Sequence, residues 1–285
     1  MNRERRLRLH IFLFLAIAAL AHADERTRKL AARLPEEAAL FLSEAVKVVG
    51  QEKLQQHAVK EESEERPGVN KYTWQDRQVI SQYSFISFRE SPETLREMRQ
   101  VESIDGKQVK SEKALRAVAA AVTSSDERQK RKMLEDFEKS GLVGVATDLG
   151  QLLLLFSGRK IQNYDFSFQS QRFVGADPVL IFTYAQTTGG GMTVYRGTDT
   201  MRPKLSGEIW VNGEYRPLKI TLNSVAESAV DKKTIRQEIE VTYSPSFIPC
   251  VLPTRAHHRE LHNSLLHAEN DYEYSDFHPW EEARK

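Results

Sequence analysis

The chain has 285 residues, with 41 basic and 40 acidic side chains and a formal charge of +1. A balance this even excludes a binder held to nucleic acid or anionic lipid by bulk charge, because either needs a basic surplus on one face. A single cysteine, Cys250, excludes an internal disulfide, so the fold has to stand on packing.

Residues 1–23 read as a secretory signal peptide. Arg3, Arg5, Arg6 and Arg8 form a basic start, Ile11 to Leu20 a short apolar core, and Ala21-His22-Ala23 a small-residue cleavage site. The apolar run falls short of the ~20 residues a spanning helix needs. Without this segment, which carries four arginines and Glu4 (+3), the formal charge falls from +1 to −2.

From Asp24 to Gln56, Leu30, Leu34, Ala38, Leu42, Ala45 and Val48 recur at helical spacing, and Pro35 marks a place for a second helix to begin. The charge block Lys60 to Pro67 reads as a loop or fraying end. Residues 71–88 are rich in aromatic and β-branched side chains and predict one or two strands. Leu95 to Ile104 predicts another, turning at Asp105-Gly106. Ser111 to Ser140 predicts a helix with Ala114, Leu115, Val118 and Val122 on one face, stopping at Gly141. Residues 142–157 are apolar nearly all round and predict one or two buried helices.

Beyond Lys160 the chain alternates. Strands are expected over 161–174, 177–186, 205–211, 215–227, 233–244, 250–262 and 266–277, with Asn212-Gly213 as a two-residue hairpin. Connections this short force antiparallel neighbours. One face is dry: Tyr164, Phe166 and Phe168, then Leu218, Ile220 and Leu222, then Ile239, Val241 and Tyr243. The whole predicts an α+β fold, a curved antiparallel sheet of about ten strands forming an open half-barrel, with helices covering the concave face. It is a single domain over 24–285: a helical segment at 24–66, first strands at 71–110, a helical lid at 111–157 and a meander at 160–278.

Three constellations bear on chemistry. On a strand, His258, Glu260 and His262 share one face at two-residue intervals, a set able to hold zinc. Structural zinc asks for four ligands and catalytic zinc for a pocket, so a solvated β-face is the expectation and no metal is assigned. The tract Gly189-Gly190-Gly191 lacks the lysine and the helix of a phosphate loop, and reads with 187–204 as a flap. Cys250, in Phe247 to Pro253, reads as a buried inert thiol. No nucleophile motif is present and no enzyme activity or cofactor is expected.

Ser206-Gly207-Glu208-Ile209-Trp210-Val211, the Asn212-Gly213 turn and Arg216 to Ile220 resemble a hairpin of the periplasmic lipoprotein-sorting carriers of the LolA/LolB type. Val251 to Arg255 and Tyr272 to Phe277 resemble their final strands. Val48-Val49-Gly50-Gln51-Glu52 and the Val101 to Val109 turn are more similar still to secreted bacterial proteins of unassigned function. The resemblance implies a half-barrel whose helices lid an apolar concave face, and a carrier of lipid-modified proteins. It is a likeness of fold. The expected function is an exported, non-enzymatic carrier or receptor for apolar cargo, periplasmic or secreted. The ligand-binding set is Phe166, Phe168, Phe182, Ile209, Leu218, Ile220 and Val241. The expected partners are an apolar ligand or a lipoprotein, with no nucleic acid and no stable membrane insertion after signal removal. The alternatives are an envelope interaction or assembly module with a filled core and, behind it, a metal-dependent hydrolase on His258, Glu260 and His262.

Overall fold

The computed structural model describes residues 25–63, 70–109, 141–144, 147–189, 194–196, 199–229 and 232–280. The expected signal peptide and the expected helix over Ser111 to Ser140 lie outside the described residues. A helix, α1, covers residues 25–44. The strands are β1 (Val48–Ser63), β2 (Asn70–Phe88), β3 (Ser91–Ile104), β4 (Lys107–Gln108), β5 (Tyr164–Val174), β6 (Asp177–Gln186), β7 (Val194–Arg196) and β8 (Asp199–Met201). They continue with β9 (Leu205–Val211), β10 (Pro217–Glu227), β11 (Thr234–Pro245), β12 (Val251–His262) and β13 (Leu265–Pro279). Eleven of them form one sheet in the order β4-β3-β2-β1-β13-β12-β11-β10-β9-β6-β5, every neighbour antiparallel. The pairing of β1 with β13 joins the N-terminal strands to the meander. The pair β7–β8 is a separate small hairpin inside the expected flap.

The sheet is open and curved, and α1 shows why it must bend. The Arg26 guanidinium lies 4.6 Å over the Phe168 ring of β5, while Phe41 meets Phe85 of β2 at 5.0 Å. Fifteen helical residues span about 22 Å. Strands β5 and β2 stand eight intervals apart in the sheet, about 38 Å along its surface. A chord shorter than its arc requires curvature. Leu30, Leu34, Ala38 and Phe41 form the buried stripe of α1, and with Ala45 just past its end they join one core cluster with inward residues from β1 to β13.

Across nine strands the dry face is a single register row: Phe168, Phe182, Ile209, Ile220, Val241, Ala256, Tyr272, Leu54 and Val79 stand side by side. Cross-strand neighbours of this kind are the stabilising unit of a sheet.

Four expectations are corrected. The N-terminal helix is continuous through Pro35 and ends at residue 44, and residues 48–63 are strand β1. Inward places on β1 alternate Glu52, Leu54, Gln56 and Ala58, and the two polar members hid the period of two. Residues 142–157 are not buried α-helix. Residues 142–144 and 147–157 cross the sheet in irregular backbone that tightens into 3-10 turns at Leu152–Phe156 and, just beyond, Gly158–Asn163. The β9–β10 connection is longer than two residues. The Asn212 side chain accepts the N–H groups of Glu214 and Arg216, and Tyr215 takes the left-handed conformation at φ 63°. Two-residue mirror-type turns fall instead at Asn263-Ser264, with φ of 50° and 70°, and at the expected Asp105-Gly106, with φ of 51° and 74°. The fourth correction concerns the histidine-bearing face of β12.

Candidate functional site

Two kinds of wall meet on the inner face. Beside the apolar row, the next row toward the Asn263-Ser264 end keeps Leu222 and Ile239 on β10 and β11, then turns polar with His258, Asn270 and Gln56 on β12, β13 and β1. His258 and Asn270 are wholly buried and Gln56 nearly so. The face expected to be solvated is therefore interior, because a second layer, residues 141–144 and 147–157, lies on it.

That layer explains the polar side chains. The Gln56 Oε1 accepts the Val143 N–H at 3.0 Å, and its amide donates to Asn270 Oδ1 at 2.6 Å. Asn270 Nδ2 donates to the Gly144 carbonyl and to His258 Nδ1, both at 3.0 Å. His258 Nε2–H donates to Gln237 Oε1 at 2.7 Å, and Gln237 Nε2 donates to Glu260 Oε2 at 2.9 Å. This chain of donors fixes the His258 tautomer. Burial pulls its imidazole down to about 4 against the opposing pull of Glu260, so the ring is neutral. Burial alone would raise the Glu260 carboxyl, but hydrogen bonding from His262 and the nearby imidazoles hold it below the usual value.

A second buried polar group lies where the same layer crosses β3. The Arg99 guanidinium donates through Nε and Nη2 to both oxygens of Glu52 at 2.7 Å, and through Nη2 to Glu97 at 2.6 Å. Glu97 Oε1 also accepts the Tyr83 hydroxyl at 2.8 Å and the Gly150 N–H at 2.5 Å. Asp148 accepts the Glu97 backbone N–H and pairs with Arg96. Burial raises the Glu97 carboxyl, with Arg99 opposing.

Between these anchors the crossing layer presents leucines to a cavity of about 390 Å³. Its apolar walls are Leu95 of β3, Leu149, Leu152, Leu154 and Leu155 of the layer, and Leu222 and Ile239 of the sheet. The exposed Glu93, Thr94, Arg96 and Lys160 mark its solvent side. A volume in this range suits a small apolar ligand held by a few polar groups. Another depression, of about 400 Å³, is walled by polar side chains, among them Gln55, His57, Asp76 and Asp271.

Phe182, Ile209, Ile220 and Val241 from the expected ligand set are wholly buried in the apolar row. Phe166 and Phe168 are half-buried. Phe168 packs on Phe182 at 5.5 Å, and Phe166 on Phe156 of the crossing layer at 5.7 Å. Leu218 sits at a bulge between Pro217 and Lys219 and is half-buried, Pro217 taking the inward place. None of these seven lines the cavity. The cavity walls proper are Leu222 and Ile239, one row on, and the leucines at 149–155. The run LGQLLLL at 149–155 carried that signal, but its all-round apolarity read as buried helix. Cys250 is buried and its thiol is pushed up to about 12, as an inert core sulfur should be.

No described helix is long and apolar enough to cross a membrane. No family model and no curated protein matches the chain. Among solved structures it is similar to a LolA superfamily protein from Nitrosomonas europaea, at 11% identity and a TM-score of 0.32, over 87% of this chain and 92% of that one. It is likewise similar to a DUF1329 family protein from Desulfovibrio piger, at 8% identity and a TM-score of 0.36, over 90% of this chain and 92% of that one.

Proposed function

We propose that this chain is an exported, non-enzymatic carrier or receptor that holds an apolar ligand, such as a lipid or the acyl chain of a lipoprotein, between its curved sheet and the crossing layer. The observation that carries the reading is the leucine-lined cavity. Its walls withdraw methylene groups from water at about 0.8 kcal/mol each, so a short alkyl segment gains enough to bind before the cost of association is met. The row from Phe168 to Val241 is packed core beside that cavity, and residues 1–23 direct export.

The test is native mass spectrometry of the purified chain for co-purifying lipid, with displacement of a fluorescent fatty acid in solution. Leu155, half-buried on the wall, is the site to fill. Leu155→Trp is expected to weaken probe binding about 10-fold while leaving the circular dichroism spectrum unchanged. A folded wild-type chain that carries no lipid and binds no probe would end this reading. The exposed Phe173 and Val174 on edge strand β5 favour the interaction-module alternative, in which that edge takes a protein strand.

A further inference from the structure

We propose that Glu260, His262 and His267 form a binding site for one divalent transition-metal ion of the zinc type. The site begins with a break in alternation. Ala268, Asn270 and Tyr272 point inward from β13, so residue 267 would ordinarily point to the other face. The register shows otherwise: Glu260 pairs with Ala268 and Leu261 with Leu266, which leaves His267 as the extra residue of a β-bulge. A bulge re-aims a side chain. The His267 ring lies on that of His262, centroids 3.9 Å apart and planes within 17°. One ligand atom from each of Glu260, His262 and His267 falls within 4.8 Å of the others.

Two imidazoles and a carboxylate are the donor set that zinc, copper and nickel take. In a tetrahedral site with bonds of about 2.1 Å, ligand atoms stand about 3.3 Å apart, so the trio closes on an ion by movements of about 1 Å. The Glu260 Oε1 to His262 Nε2 contact of 2.6 Å is the one that opens, since an ion replaces the proton held between them. The remaining carboxylate oxygen is already held. Gln237 binds Glu260 Oε2, His258 holds Gln237 and Asn270 holds His258 in turn, an outer shell of the kind that orients metal ligands. Gly144 of the crossing layer lies over the trio. A Cβ there would stand 3.7 Å from Glu260 Oε1 and 3.6 Å from the His267 ring. An ion with three protein ligands keeps a fourth position for water or an exogenous donor, and it ties the β12–β13 hairpin together beneath that layer.

The experiment is isothermal titration calorimetry of the intact metal-free chain with zinc chloride at pH 7.5, alongside cobalt(II) absorption. One ion per chain is expected. Affinity should fall by at least about 10-fold in His262→Ala and in His267→Ala, and by about 10-fold in Gln237→Leu, which touches no ion. His257→Ala, on an exposed ion pair with Asp271, should leave it unchanged. His262→Gln and His267→Gln, checked by circular dichroism, stand in for any alanine variant that fails to fold. No saturable uptake by the wild type, or uptake that survives both histidine replacements, overturns the proposal.

Discussion

Arg99 is the side chain whose loss the structure prices most directly. It faces two buried carboxylates, Glu52 and Glu97, and its own side chain is 1% exposed. In Arg99→Met the site can regain its former charge only by taking up a proton. From an unfolded carboxyl value near 4.3, loading one proton at pH 7 costs about 3.7 kcal/mol, and at pH 5 about 1 kcal/mol. The first figure falls within the ~3–5 kcal/mol that breaking a buried ion pair takes. The direction follows from linkage. Without the guanidinium the Glu97 carboxyl, which burial already raises, stands further above its unfolded value, so its stability is present at low pH and is lost as pH climbs through the folded value.

Urea unfolding reads this out. With a slope of about 3 kcal/mol per M, the midpoint of Arg99→Met should drop by about 1.2 M at pH 7 and about 0.3 M at pH 5. Glu52→Leu with Arg99→Met removes one carboxylate along with the cation and should be more stable than the single variant at pH 7. A shift equal at both pH values, or larger at pH 5, would refute the reasoning, and so would a double variant weaker than the single one.

Two further outcomes follow from close contacts. Gly207→Ala should cost at least about 2 kcal/mol in the same assay, because its Cβ would stand 2.1 Å from the Thr221 carbonyl oxygen, under the Tyr184 ring whose hydroxyl binds that oxygen. The Cys250 thiol should stay unreactive toward a disulfide reagent in the native chain and react in step with urea unfolding, since it is wholly buried with its pKa near 12.

The meander was legible because alternation and turn residues act locally. Strands 177–186 and 205–211 match β6 and β9 end to end. What was not legible were side chains whose partners lie far along the chain. Glu52 and Gln56 fall in the segment expected to be helical, yet they bind Arg99 and the Asn270–Val143 pair across separations of 47 to 214 residues. His258 read as a wet strand face because nothing local distinguishes a polar residue facing water from one facing buried amides. His267 could not be placed by periodicity at all, since a single inserted residue reverses its face.

The irregular cover and the polar side chains beneath it are one device. A helix laid over the sheet would satisfy its own backbone and need only an oily floor. Residues 141–157 do not, so their buried N–H and C=O groups require partners from below. The sheet provides them: Gln56 for the Val143 N–H, Asn270 for the Gly144 carbonyl, Glu97 for the Gly150 N–H and the Tyr243 hydroxyl for the Leu153 N–H. Four anchors on β1, β13, β3 and β11 hold the layer at fixed points, and Leu149, Leu152, Leu154 and Leu155 pack with the core of the sheet while also lining the cavity. A self-sufficient helix would be free to settle and fill that space. The layer therefore keeps its place because it is hydrogen-bonded to the sheet beneath it, and the leucine-lined cavity lies beside those fixed points.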